Sequence, residues 1–194
     1  MFRLDRGGGW LKVVGVVGLT CPVVGFAAIL LAVRLSPWFD WRVNALSDLG
    51  VGNASSVFNL GLMACGVLYL AFALGLLSLI KGRVGRVGCW LMFIDGLFLI
   101  GVGVFPETFG AVHYYFSVLF FTFIPISLWT MGAWLLTMEG EKPLAFFTIL
   151  MGVLSAAVWT TPHDGVAIPE ATSSLAASVW IWTLSVKVLW EAVR

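Results

Sequence analysis

The sequence predicts an all-α polytopic integral membrane protein: a bundle of six transmembrane helices that forms a single domain over residues 1–194. Of the 194 residues, 60% are hydrophobic and only 11% are charged, whereas a soluble domain usually has about a quarter charged residues. The apolar residues also occur in six separate runs, each close to the roughly 20 residues that a helix needs to cross about 30 Å of hydrocarbon. The short connections between these runs leave no room for an extramembrane domain.

The six runs predict where each span begins and ends. The expected spans are 11–33, 56–80, 87–105, 113–137, 143–161 and 172–190. The first run is too long for the apolar core of a signal peptide, so we expect it to remain in the chain as an uncleaved span. Pro22 and Pro125 fall in the middle of their spans. A proline there removes a backbone hydrogen bond, so a kink is expected.

The longest polar connection follows the first span and contains the stretch PWFDWRVNALSDLG. In helical geometry, Trp38, Trp41, Ala45 and Leu49 would share one stripe of this stretch. Tryptophans on a short amphipathic helix suit the headgroup region of a membrane. The pattern therefore predicts a short interfacial helix over residues 37–49, in the first outer loop.

The basic residues predict the orientation of the chain. Nine of the eleven Lys and Arg residues fall on the side that holds both termini: Arg3, Arg6, Lys12, Lys81, Arg83, Arg86, Lys142, Lys187 and Arg194. Since cytoplasmic loops carry the excess of Lys and Arg, we expect cytoplasmic termini in a cell membrane. The outer face then holds both histidines and five acidic residues: Asp40, Asp48, Glu107, Asp164 and Glu170.

A single carboxylate, Asp95, lies near the centre of the apolar stretch Trp90–Glu107. At 1.5 Å per residue it is roughly 14 Å from each end of its span, close to the membrane midplane. A charge at that depth costs several kcal/mol. Asp95 is therefore a functional candidate, either as a proton or cation site or as a polar anchor for a lipid-like ligand. The alternative is a neutral carboxyl group that hydrogen-bonds to a neighbour. The candidate neighbours are Thr20, Thr122, Ser127, Thr148 and Ser178.

A second group of titratable residues is expected at the outer rim. Glu107 and His113 flank one short loop, Asp48 lies in the first outer loop, and His163 and Asp164 lie in the last. Two histidines and several carboxylates would suit a divalent metal or an acid–base pair, with His113, His163 and Glu107 as the metal candidates. Their spacing matches no recognised ligand motif. The alternative is a set of interfacial hydrogen bonds and helix caps.

Other sequence features exclude function classes. The chain has no nucleotide-binding, dinucleotide-binding or serine-hydrolase motif, so no cofactor is predicted. A net charge of +1 without a basic patch argues against a nucleic-acid partner. The three cysteines, each inside a span, are expected to pack as small apolar residues. The absence of glutamine, with only three asparagines, favours a thermophilic source.

Two blocks of residues resemble a known family. The first is Ala45–Gly50 followed by Asn53 and Phe58–Gly61, and the second is Gly101–Glu107 followed by His113. These blocks resemble the uncharacterised prokaryotic multi-spanning family "domain of unknown function 998", and are distantly similar to the DRAM and Sfk six-span proteins. The resemblance implies a six-span fold and no particular reaction. It draws attention to five residues: Ser47, Asp48, Asn59, Glu107 and His113.

The sequence favours a binding or structural role over catalysis or transport. An outer-leaflet pocket, with Asp95 as its floor and Asp48, Glu107 and His113 as its rim, would bind a membrane lipid or another amphiphile. One alternative is a metal-assisted membrane hydrolase or transferase that uses the outer cluster. Another is a small proton-coupled transporter that uses Asp95. A homo-oligomer or a subunit of a larger membrane complex would also suit a chain with so little extramembrane surface.

Overall fold

The computed structural model describes residues 7–193, and its long elements are all α-helices. The six α-helices are α1 (Gly8–Arg34), α2 (Ser55–Leu79), α3 (Arg83–Val104), α4 (Ala111–Leu136), α5 (Lys142–Ala157) and α6 (Ala167–Glu191). Each is long and apolar enough to cross a membrane, α5 when the short 3-10 helix Val158–Thr160 is included. The predicted six-helix class is confirmed, and the chain is a multi-pass membrane protein.

The helices form a closed ring in chain order. Each helix packs on the next, and α6 returns to pack on α1. Small residues permit the close approach of neighbours in lipid. Gly61 of α2, for example, faces Ala28 of α1 so closely that an added Cβ would overlap the alanine side chain. The outward faces carry exposed large apolar side chains such as Leu60 and Phe146, as expected of surfaces that contact lipid.

Charge is segregated between the two ends of the bundle. The end with the α2–α3 and α4–α5 turns is here named the basic end; its described basic residues are Lys12, Lys81, Arg83, Arg86, Lys142 and Lys187. The opposite end, with the loops 35–54, 105–110 and 158–166, is named the acidic end. Arg3, Arg6 and Arg194, which also entered the orientation argument, lie outside the described residues. At the basic end, Lys187 of α6 forms a salt bridge with Glu141, 2.8 Å from nitrogen to oxygen.

The helix expected over residues 37–49 forms only at its C-terminal end, as a 3-10 helix over Leu46–Gly50. The preceding residues form turns because side chains take the local backbone donors. Asp40 Oδ1 accepts a hydrogen bond from the backbone N–H of Arg42 (2.8 Å), and Asn44 Oδ1 accepts one from the backbone N–H of Asp40 (2.9 Å). Such local bonds compete with the helical ladder.

The first and last loops of the acidic end are bonded to each other. The backbone N–H of Gly165 donates to the carbonyl of Arg42 (2.8 Å), and that of Ala167 donates to the carbonyl of Asn44 (2.9 Å). A Cβ at position 165 would overlap the Val43 backbone, so only glycine allows this approach. The α6 helix therefore begins at Ala167, before its expected start at 172, and includes Glu170 in its first turn.

Candidate functional site

A cavity lies inside the half of the bundle that faces the acidic end. It is lined by α1, α2, α3, α4 and α6 and is covered by the 3-10 helix Leu46–Gly50, whereas α5 contributes nothing. The cavity volume is about 830 Å³ with its open part included. On α6 the lining extends from Glu170 to Ile181, which corresponds to roughly 16 Å of helix or about half of a bilayer core.

The cavity lining is mainly apolar and aromatic, with a few polar side chains. The polar residues are Ser47, Tyr69, Asp95, Ser117, Glu170, Ser174 and Ser178. Among the described residues, no lysine, arginine or histidine lines this cavity. An apolar pocket with a few convergent polar groups is the usual form of a small-molecule site.

Asp95 lies at the deep end of the cavity. Asp95 is fully buried. Its Oδ2 accepts a hydrogen bond from the Tyr69 hydroxyl at 3.4 Å, which is long for a hydrogen bond between two oxygens. Within residues 7–193, nothing hydrogen-bonds Oδ1, which is also buried. Tyr69 is not among the serine and threonine partners expected for Asp95. A buried carboxyl group with so little support is costly, so it points to a role other than stability.

Glu170 and Ser47 form the polar part of the roof. Glu170 is 6% exposed, and its Oε2 accepts a 2.6 Å hydrogen bond from the backbone N–H of Leu46. That bond satisfies a donor at the start of the 3-10 helix and holds this helix over the cavity. Ser47 is also buried and lines the cavity from the same helix. Of the residues singled out from the sequence, Ser47 and Asp95 are thus brought to one cavity.

Asp48 and Glu107 meet outside the cavity, on the surface of the acidic end. Their carboxyl groups are hydrogen-bonded to each other beside a shallow depression that also includes Trp38. Partial burial, this hydrogen bond and the negative charge of Asp48 raise the pKa of Glu107 to about 7. Asp48 Oδ2 also accepts hydrogen bonds from Asn44 Nδ2 (2.7 Å) and from the backbone N–H of Ala45 (3.0 Å). Asp48 therefore caps the start of the 3-10 helix Leu46–Gly50.

His113 is buried and connects the end of α3 to the start of α4. Its Nδ1 is 2.8 Å from the Phe105 carbonyl, and its Nε2 is 3.2 Å from Ser117 Oγ. A carbonyl only accepts, so Nδ1 carries a proton, and in the neutral ring Nε2 accepts from Ser117. His113 does not line the cavity, but Ser117 does.

The remaining candidates lie apart from the cavity. His163 and Asp164 are exposed in the loop before α6, where the rings of His163 and Trp159 form a T-shaped pair. Asn59 donates from Nδ2 to the Gly50 carbonyl (3.0 Å) and so supports the roof helix from α2. Over the described range 7–193, no group of three or more His, Cys, Asp or Glu side chains is arranged to hold a metal ion. The metal candidates His113, His163 and Glu107 are accordingly not part of one such group.

Tyr69 and Glu170 are among the polar residues of the cavity that the sequence reasoning did not assign to a pocket. The sequence does contain an indication for Tyr69. It is the one tyrosine of three that lies in the middle of a span, where its hydroxyl needs a hydrogen-bond partner. The sequence also contains an indication for Glu170. The Pro169-Glu170 pair is typical of a first helical turn, which would have moved the start of the last span earlier and placed this carboxyl group inside the bundle.

Comparison with family models matches residues 6–187 to a family described as protein of unknown function, DUF998. The match covers nearly the whole chain. The protein belongs to the DUF998 family. No curated protein and no solved structure matches the chain, and the more distant likeness to DRAM and Sfk proteins is not confirmed. For this DUF998 protein, functional reasoning therefore depends on the site itself.

Proposed function

We propose that this DUF998 protein binds a lipid or another amphiphile from the membrane in the cavity beneath the Leu46–Gly50 helix. One observation carries the proposal: Asp95, fully buried at the deep end of an otherwise mainly apolar cavity, has a carboxyl oxygen that no described residue hydrogen-bonds. The apolar lining would hold the hydrophobic body of the ligand. Asp95 and Tyr69 would contact its polar group, and partition from the bilayer would supply the ligand.

The charge segregation supports an orientation for this binding site. We propose that the basic end and both termini face the cytoplasm of a cell and that the acidic end faces outward, because cytoplasmic loops carry the excess of Lys and Arg. The cavity would then lie in the outer half of the membrane. A fluorescent protein fused after Arg194 should mature, and alkaline phosphatase at the same place should be inactive; the reverse pattern would invert the proposal.

Binding is tested by filling the cavity. Ala177 of α6 lines the cavity, whereas Ala27 of α1 is exposed on the outer surface of the bundle. Ala177→Trp should reduce the amphiphile that copurifies with the protein by about tenfold, since it occupies the space of the ligand. Ala27→Trp is the matched control and should leave it unchanged. The measurement is native mass spectrometry of protein released from nanodiscs, with thermal melting to confirm that both variants are folded.

One result would overturn the proposal that the cavity binds an amphiphile. If Ala177→Trp, or the smaller change Ala177→Leu, is folded and retains as much amphiphile as Ala27→Trp, the cavity is not the binding site. Equal loss in the two tryptophan variants would point to annular lipid and would count equally against the cavity.

A small proton-coupled transporter is a second candidate, because the cavity that Asp95 lines lies in only one half of the bundle. Access to a mid-depth carboxyl group from one face is what one state of an alternating-access carrier requires. Proton uptake by proteoliposomes that depends on an added substrate, and that is lost in Asp95→Asn, would favour it over simple binding. A homo-oligomer, a larger membrane complex and a thermophilic source stay predictions.

A further inference from the structure

The cavity is lined by two carboxyl groups and, among the described residues, by no cationic side chain. The two carboxyl groups belong to Asp95 and Glu170. An anionic headgroup would therefore meet only acidic or neutral partners, which disfavours its binding in a site removed from water. The charge balance of the cavity thus selects against a phosphate or carboxylate ligand.

Only one of the two carboxyl groups has an oxygen atom that is buried without a hydrogen-bond partner among the described residues. Glu170 already accepts a hydrogen bond from the backbone N–H of Leu46 (2.6 Å). Asp95 has one long hydrogen bond from Tyr69 to Oδ2, and within the part of the chain that the structure describes Oδ1 has no partner. A buried carboxylate is best satisfied by a charged donor, because such hydrogen bonds are roughly twice as strong as neutral ones.

The aromatic lining fits the same kind of ligand. Five aromatic side chains line the cavity: Phe26, Phe58, Tyr69, Phe120 and Phe121. Aromatic faces attract a cation through their quadrupole, and the attraction grows when the cation is desolvated. They also provide the apolar contacts that the body of an amphiphile needs. A bare metal ion is not favoured, because no set of three side-chain ligands surrounds Asp95 in the described range.

We infer that the ligand of this cavity is an organic amine: a protonated amino group on a compact apolar body, with the ammonium donating to Asp95 Oδ1. The inference rests on the proposed binding function and adds the ligand class to it. Asp95 acts as the counter-ion at the deep end. The aromatic side chains hold the body, and the roof helix with Ser47 and Glu170 separates the bound amine from the surface of the acidic end.

The test uses three compounds with the same body and different polar groups: 2-phenylethylamine, 2-phenylethanol and phenylacetate. Their binding to the full-length protein in nanodiscs of zwitterionic lipid is measured by calorimetry at neutral pH. We expect the amine to bind at least about tenfold more tightly than the alcohol, and phenylacetate to bind most weakly. This ranking needs no variant, so it stays informative even if substitutions at Asp95 prevent folding.

Two variants then assign the preference to Asp95. Asp95→Asn has nearly the same shape without the charge and should bind amine and alcohol equally. Asp164→Asn removes an exposed carboxylate at the acidic end and should keep the preference of the natural protein. If the preference survives in Asp95→Asn and falls in Asp164→Asn, the amine is attracted by the surface, and the inference is overturned.

The outcomes also separate this inference from the proposed function. If amine and alcohol bind the natural protein equally and Ala177→Trp abolishes both, the cavity binds amphiphiles but does not select amines. If none of the three compounds binds while Ala177→Trp still loses the copurified amphiphile, the inference again fails alone. If Ala177→Trp changes neither binding nor copurification, both proposals fail.

Discussion

Two carboxyl sites in this protein differ in how well the surrounding chain supports them. On the surface of the acidic end, Asp48 accepts hydrogen bonds from Asn44 and Ala45 and shares another with Glu107, whose side chain is largely exposed. In the cavity, Asp95 is fully buried and has a single long bond from Tyr69. The surface pair has a structural explanation in its own hydrogen bonds. The buried group lacks one, and we therefore assign it to ligand binding.

The largest effect that tests this contrast is expected for Asp95→Leu. Replacing an under-satisfied buried polar group with an apolar one of similar size is often neutral or stabilising, here by about 1–3 kcal/mol. Ligand binding should nevertheless weaken by about a hundredfold, because the counter-ion is lost. Thermal melting and calorimetry on the same preparation measure the two quantities, and Asp164→Asn, which removes an exposed carboxylate outside the cavity, is the control.

A fall in melting temperature for Asp95→Leu, with ligand affinity unchanged, would remove the contrast between the two sites. It would mean that Asp95 fixes the packing of α2 against α3 and that both carboxyl sites are structural.

The two histidines provide a second, smaller test, which also addresses a metal role. His113→Ala leaves the partly buried Phe105 carbonyl and Ser117 without their partner and should cost about 2–3 kcal/mol of stability. His163→Ala changes an exposed side chain and should stay within about 0.5 kcal/mol. Thermal melting measures both, and elemental analysis for zinc accompanies it. Stoichiometric zinc that is lost in both variants would instead favour the metal-assisted alternative.

The smallest expected effect concerns pH and the surface pair. Because the pKa of Glu107 is raised from 4.5 to about 7, the folded protein still holds a proton between these pH values that the unfolded chain has already released. Stability should therefore fall as the pH rises through this window and stay lower above it. Glu107→Gln should remove that slope and raise the melting temperature at pH 8 by about 1–3 °C, a small gain because solvent screens this exposed group.

Melting curves at pH 5 and pH 8 measure the effect, and Asp164→Asn is the control from the same end of the bundle. A pH slope that is identical in Glu107→Gln and in the natural protein would show that the Asp48–Glu107 pair has no part in it. The surface site would then also lack an explanation, and the contrast with Asp95 would weaken.

The features that sequence reasoning found are those encoded by local pattern. Six apolar runs predict six helices, and the single mid-span acid identified Asp95 as a buried group. Positions 37–49 show the limit of this approach. Their stripe of Trp and Leu is helical in spacing, but the side chains of Asp40 and Asn44 accept local backbone hydrogen bonds, and turns form instead. The same limit applies to Glu170. The last span was expected to start at residue 172, whereas α6 begins at Ala167, so the sequence placed Glu170 in a loop.

The sequence alone determined that the chain forms six helices long and apolar enough to cross a membrane, that most of its basic residues lie at one end, and that one carboxyl group lies in the middle of a helix. These properties follow from residue order along single helices, because hydrocarbon penalises each polar residue individually. Only the tertiary structure decided that Tyr69 contacts Asp95, that Glu170 holds the roof, and that Asp48 pairs with Glu107 while His163 lies apart. Such contacts depend on how each helix is rotated about its axis and packed on its neighbours, and no local pattern specifies that rotation.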